Sequence, residues 1–216
     1  MKLFKSYHMF CSRGLRLLFA LLAATLLILQ YWTRAFLGMN SAILACGMLM
    51  MSGITLDHWI FGGSCAKGTQ GLDYLKSSVR GKRVFGNALK GDCLYRFLTD
   101  TLALGGGAAI SLLLTASGPE PLTDPVQIFY GTAGMVAASY GLTTLTLLVS
   151  RHWTMLGYSI CAASVSSIVL MGVLWLQAVL PWTVLLTAAL CVPLTRMSVT
   201  RALRKMEESY HDGMEP

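Results

Sequence analysis

The sequence has few charged residues. Only 12% of its 216 residues are Asp, Glu, Lys or Arg, about half the share in an average soluble domain. Hydrophobic residues make up 55% and are gathered into six apolar stretches, most of which approach or exceed the ~18 residues that a spanning helix needs. The segments between them are too short for a separate soluble domain. The pattern predicts an all-α polytopic membrane protein, with residues 1–216 forming one transmembrane domain.

Motifs of catalysis and nucleotide hydrolysis are also missing. The sequence has no Gly-x-Ser-x-Gly, no His-Glu-x-x-His and no Gly-x-x-x-x-Gly-Lys-Ser/Thr phosphate loop, so we expect neither enzyme activity nor ATP hydrolysis by this chain alone. The six cysteines stand singly, without a Cys-x-x-Cys pair, which gives no support for a metal site. We assign no catalytic residue, no metal and no cofactor.

The six stretches predict spans at residues 15–32, 37–56, 97–115, 126–149, 153–176 and 178–195. The first has no small-x-small cleavage site after it and is expected to be a retained anchor. Sixteen of the 17 Lys and Arg residues lie in the N-terminal segment, in the connection between spans two and three, in that between spans four and five, or in the tail 196–216. Only Arg34 lies elsewhere. Because cytoplasmic loops carry the excess of basic residues, both termini and the loop 62–96 are predicted to be cytoplasmic.

The net charge of +7 is spread beside the spans. Such residues act as topology signals and as contacts for anionic lipid, so we expect membrane lipids and no nucleic acid among the partners. Residues 1–14 are predicted to form a basic amphipathic helix on the inner leaflet. Its apolar positions recur at helical spacing: Leu3, Phe4, Tyr7, Phe10 and Cys11.

The loop 62–96 is the only sizeable hydrophilic segment. From Val84 its apolar residues again recur at helical spacing, with Lys90 and Asp92 among the polar residues between them. We predict two short helices in this loop with a turn around Gly81, the second helix continuing into the third span.

Carboxylates inside a bilayer are costly and therefore informative. Asp100 lies about one turn inside the third predicted span, and Arg96 lies four residues earlier on the same helix face. Two interpretations are open: a structural ion pair along the helix, or a gating pair at the cytoplasmic mouth of a transport path. Asp57 and His58 end the second span and are expected to face the membrane interface.

As architecture, nearly the whole chain resembles a small membrane subunit of bacterial ABC-2-type exporters. The shared features are the basic N-terminal helix, six spans and one large basic loop between spans two and three. In that family the loop docks into a groove of the ATPase subunit. The segment 72–89 resembles the polar and basic patch found there, which implies these ATPase-coupling residues: Asp73, Lys76, Ser77, Ser78, Lys82, Arg83 and Asn87.

The resemblance implies further partners and a location. The chain would lie in a bacterial cytoplasmic membrane, bind an ABC ATPase subunit, and pair with a second copy of itself or a sibling permease. Three other functions stay open: a non-transport scaffold, immunity or assembly factor; the substrate-binding membrane component of a vitamin-uptake system; and an intramembrane enzyme. An adjacent gene for a phosphate-loop ATPase would favour the exporter.

The predicted topology can be tested by labelling intact cells with a maleimide that does not cross membranes. A cysteine introduced by Glu120→Cys, in the third connection, should react, because this acidic loop is predicted to be outside. Cys65, in the basic loop, should react only after the cells are opened. Labelling of Cys65 in intact cells would contradict the topology.

Overall fold

The computed structural model describes residues 2–8, 10, 14, 17–18, 20–25, 38–62, 78–116, 125–151 and 156–211. Within these ranges every regular element is helical, which confirms the all-α prediction. The helices are α1 (Lys2–His8), α2 (Gly38–Asp57), α3 (Val79–Ala116), α4 (Pro125–Ser150), α5 (Leu156–Val179) and α6 (Thr183–His211). A π-helical turn, His58–Gly62, continues α2.

Four helical segments are long and apolar enough to cross a membrane, counted over the described residues. They are Ala42–Phe61, Ile128–Ser150, Gly157–Val179 and Thr183–Glu208, and they overlap the second, fourth, fifth and sixth predicted spans. The first predicted span lies mostly outside the described residues, and the third lies within α3. The structure therefore agrees with a membrane protein and leaves the count of six as a prediction.

Helix α3 is much longer than the span predicted within it. Its 38 residues extend about 57 Å at 1.5 Å per residue, against ~30 Å for the hydrocarbon core of a bilayer. The helix passes through Gly81 without interruption, so the predicted turn there is wrong. The reason is local: Ser78 lies just before the helix, and its Oγ accepts a hydrogen bond from the Gly81 amide at 2.9 Å, as an N-cap does.

The turn between the last two helices is as short as the sequence predicts, but the two helices contact each other little and each packs mainly on α4. Only residues 180–182 separate α5 from α6. Helix α6 then continues far beyond the predicted end of the sixth span at residue 195, past the internal Pro193, to His211. Much of the predicted tail 196–216 is thus helical.

Small residues bring α4 close to the α5–α6 hairpin. A Cβ added at Gly134 would lie 2.7 Å from Oε1 of Gln177 and 3.1 Å from Val184, and one at Gly141 would lie 3.2 Å from Sγ of Cys191. A side chain at either position would require these neighbours to shift, so the two glycines permit the close helix approach that is common in membrane bundles.

An apolar cluster lies where α2 ends and α3 begins. Phe61 packs edge-on against Phe85 with ring centroids 5.7 Å apart, and Tyr7 of α1 stacks on Tyr95 at 5.5 Å. Tyr7 is buried. The sequence predicts that the apolar face of α1 meets the membrane, but its Tyr7 side chain packs against protein.

The N-cap at Ser78 yields a stability prediction. Ser78→Ala should weaken the first turn of α3 by about 1 kcal/mol, the usual value of a capping serine, whereas Ser78→Asp should retain the cap. Amide hydrogen exchange at residues 80–83 measures this directly. Faster exchange in the alanine variant alone is expected; equal exchange in both variants would show that the hydroxyl does not cap α3.

Candidate functional site

Four charged side chains are buried together at one end of the helical bundle. They are Asp57 at the end of α2, Asp92 and Arg96 on α3, and Arg151 directly after α4, each at most 4% exposed. We call this group the ionic cluster, and the end of the bundle where it lies the charged end. Its two cations and two anions balance, as buried charges require.

Arg151 makes the closest contacts in the ionic cluster. Its Nε lies 3.0 and 3.1 Å from the two carboxylate oxygens of Asp57, and its Nη2 donates to Oδ1 of Asp57 at 2.6 Å. The third nitrogen, Nη1, donates to Oγ of Ser198 on α6 at 3.1 Å. This planar two-pronged contact is the strong, directional form of an arginine–carboxylate pair.

Asp92 links the two arginines. Its Oδ2 lies 3.0 Å from Nε of Arg96 and 3.7 Å from Nη2 of Arg151. The ionic cluster therefore connects residues of α2, α3 and α6 with the end of α4.

Neighbouring carboxylates favour the protonated form of both arginines, and an aromatic ring lies beside each guanidinium. The guanidinium of Arg151 lies 5.8 Å from the Phe61 ring centroid and that of Arg96 lies 5.7 Å from the Tyr140 centroid, within the range of a cation–π contact. Burial opposes the charge, but the carboxylates of Asp57 and Asp92 outweigh it and raise the pKa of Arg151 and of Arg96 above the ordinary value. Both arginines remain charged.

The predicted pairing of Arg96 with Asp100 is wrong. Arg96 pairs with Asp92, one turn earlier. The physical reason is the tilt of helical side chains toward the N-terminus, which favours a carboxylate four residues before a cation over one four residues after it. Asp100 is buried and instead accepts a hydrogen bond from Oγ of Ser139 on α4, at 3.5 Å.

The residues at the end of the second span are not at an exposed interface either. Asp57 is buried against Arg151, and Nδ1 of His58 lies 3.1 Å from Oγ of Ser159 on α5. Each therefore links α2 to the rest of the bundle. The expectation that this pair faces the membrane interface is wrong for Asp57.

The structure describes four of the seven coupling residues implied by the resemblance. Asp73, Lys76 and Ser77 lie outside the described residues, and Ser78 is the N-cap of α3.

The other three lie on the first turns of α3. Arg83 is exposed, and Asn87 is half-buried. Lys82 forms an ion pair with Glu207 of α6, its Nζ lying 3.2 Å from the carboxylate. Arg83 is thus the most accessible cation of this group for a separate protein.

Sequence reasoning missed the roles of Asp92 and Arg151. It treated Arg151 as a topology signal and Asp92 as one polar residue of an amphipathic pattern. The available signal was their position: Asp57, Asp92, Arg96 and Arg151 all lie within a few residues of the same predicted membrane boundary. Charges that share one depth in a bundle can reach one another, so their proximity could have been inferred.

A groove of about 1110 Å³ runs between α3, α4 and α6. Its walls are largely apolar, with Phe97 on α3, Phe129 on α4 and Val192 on α6. Lys90 and Arg196 line it at the charged end. The groove is thus an amphiphilic surface, apolar along the bundle and cationic at one mouth.

No protein-family model, no curated protein and no solved structure matches this chain. Over the described ranges, no group of three or more His, Cys, Asp or Glu side chains is placed to hold a metal ion. The chain's own geometry, above all the ionic cluster and the groove, is what bears on its function.

The ionic cluster predicts a specific pattern of stabilities. Arg151→Met leaves the carboxylate of Asp57 buried without its main partner, which should cost about 3–5 kcal/mol of unfolding free energy. Adding Asp57→Leu removes the orphaned charge and should restore much of that loss. Denaturant titration in detergent micelles measures both variants.

Arg204→Met is the matched control, because Arg204 is an exposed arginine on α6 and exposed substitutions change stability by about 0.5 kcal/mol or less. A loss in Arg151→Met no larger than in this control would contradict the proposed pairing. So would a double variant less stable than the single one.

Proposed function

We propose that the chain is the membrane-spanning permease subunit of an ATP-driven, ABC-2-type exporter, with six spans and both termini in the cytoplasm of a bacterium. The observation that carries the proposal is the continuity of α3. This one helix joins exposed basic residues at its start, Arg80 and Arg83, to the ionic cluster and then to the apolar bundle. A force on its exposed end therefore acts on the spans.

The energy must come from a separate protein, because the sequence has no phosphate loop. The proposed ATPase contact is the start of α3 together with the segment before it. Its coupling residues are Asp73, Lys76, Ser77, Ser78, Lys82, Arg83 and Asn87. The exposed guanidinium of Arg83 is suited to a carboxylate of the ATPase. Lys82 is partly engaged by Glu207, so its contribution to docking is expected to be smaller.

The ionic cluster supports the proposal because it can transmit movement. Any displacement of α3 must carry Asp92 along, and its carboxylate lies 3.7 Å from Nη2 of Arg151, which is bound to α2 and α6. Buried charges cannot separate without a large energetic cost, so the helix ends move together. One turn further along α3, Asp100 bonds to Ser139 of α4; we place the gating function at Arg96 and Asp100.

A second copy of the chain, or a sibling permease, would complete the transport path. Helix α5 favours this arrangement, since only 22% of its spanning segment is buried within the chain. Large apolar side chains of α5, such as Val165, Ile168 and Trp175, are exposed on its surface. In a bilayer, surface of this kind contacts lipid or another helix.

The proposal is tested by purifying the chain with its native neighbours. A phosphate-loop ATPase should copurify, and its ATP hydrolysis in liposomes should be stimulated by the chain. Arg83→Glu should lower that stimulation at least severalfold while membrane insertion is unchanged, because the substitution reverses an exposed docking charge.

Two controls separate docking from other effects. Arg204→Glu makes the same charge reversal on α6 and should leave the stimulation intact. Glu207→Gln removes the ion pair with Lys82 and should not lower the stimulation, because it frees a second cation at the start of α3. If the purified chain transports a substrate with no ATPase present, or if both reversals act alike, the exporter proposal is wrong.

A further inference from the structure

The groove between α3, α4 and α6 has a strongly uneven charge distribution. Among the described residues that line it there is no Asp or Glu, whereas Lys90 and Arg196 are both present. Both cations are exposed. Among the described residues, the charged side chains that line this mouth are therefore both positive.

These two cations differ from the arginines of the nearby ionic cluster. Arg96 and Arg151 are neutralised by Asp92 and Asp57. Within the part of the chain that the structure describes, neither Lys90 nor Arg196 pairs with a carboxylate. Their charge is available to an anion from outside the chain.

The groove is long, and its walls beyond the two cations are largely apolar. From Lys90 to Ala109, both of which line it, α3 rises about 28 Å at 1.5 Å per residue, close to the ~30 Å hydrocarbon thickness. Small residues keep it open: Gly105 and Ala133 line it, and a Cβ at Gly105 would meet no atom within 4 Å. Acyl chains of one leaflet would need only about half this length.

We propose that the groove binds one anionic phospholipid, with its phosphate between Lys90 and Arg196 and its acyl chains along the apolar walls. Basic pockets between membrane helices bind anionic headgroups by this combination of charge and apolar surface. The site belongs to the single chain. It does not depend on the ATPase proposed above, so either proposal can fail without the other.

The test uses the purified full chain without any ATPase, in detergent. Phosphatidylglycerol and phosphatidylcholine with identical acyl chains are titrated separately, and bound lipids are counted by native mass spectrometry. Phosphatidylglycerol should occupy one site with about tenfold or higher preference, the order expected from two cations near an anionic headgroup. Lys90→Gln combined with Arg196→Gln should reduce its binding to that of phosphatidylcholine.

Matched variants separate the groove from general surface charge and from misfolding. Gly105→Leu places a side chain in the groove and should reduce binding of both lipids. Gly106→Leu also points into open space but does not line the groove, so it should bind lipid as the unmodified chain does. Arg204→Gln removes an exposed cation away from the groove and should have no effect; each variant must elute as a single helical species.

Three results would overturn the proposal. The first is equal binding of the two lipids by the unmodified chain. The second is a loss of phosphatidylglycerol in Arg204→Gln as large as in the double variant. The third is an efficient disulfide between copies carrying Phe97→Cys in lipid nanodiscs, because it would mean that a second copy, not a lipid, covers the groove.

Discussion

Keeping the buried guanidinium of Arg151 paired is the constraint on which the charged end of this bundle depends. Transfer of an ion from water into the protein costs several kcal/mol even after relaxation, and only well-aligned partners offset it. Arg151 finds these partners on three other helices: the carboxylates of Asp57 and Asp92 and the hydroxyl of Ser198. Each must be in place at once, so the cluster selects one arrangement of the helix ends.

The same cluster fixes the middle of the long helix α3 to its neighbours. The first turn of this helix is capped by Ser78, its buried Phe85 packs against Phe61, and Asp92 and Arg96 hold its middle in the ionic cluster. Within the bundle, Asp100 bonds to Ser139 of α4. Helix α4 in turn packs closely against α5 and α6 at Gly134 and against α6 at Gly141. Contacts therefore run without a break from the start of α3 into the apolar core.

Hydrophobic patterning predicted the helical class and the short turn between α5 and α6, because burial of apolar length is a local property of sequence. The turn at Gly81 was mispredicted because glycine is a poor helix former, while the cap that decides the helix start is a single hydroxyl.

The ionic cluster was missed for a different reason. Asp57, Asp92 and Arg151 are far apart in the chain, and only the packing of α2, α3 and α4 decides which carboxylate an arginine reaches. The choice of Asp92 over Asp100 by Arg96 depends on side-chain tilt, which the spacing of four residues alone does not show.

Whether the ionic cluster acts as one unit can be measured by amide hydrogen exchange in Arg151→Met compared with the unmodified chain in lipid nanodiscs. If the cluster fixes the helix ends together, protection should fall jointly at the end of α2, around Asp92 and Arg96 on α3, and around Ser198 on α6. A loss of protection confined to the residues around position 151 would contradict the account.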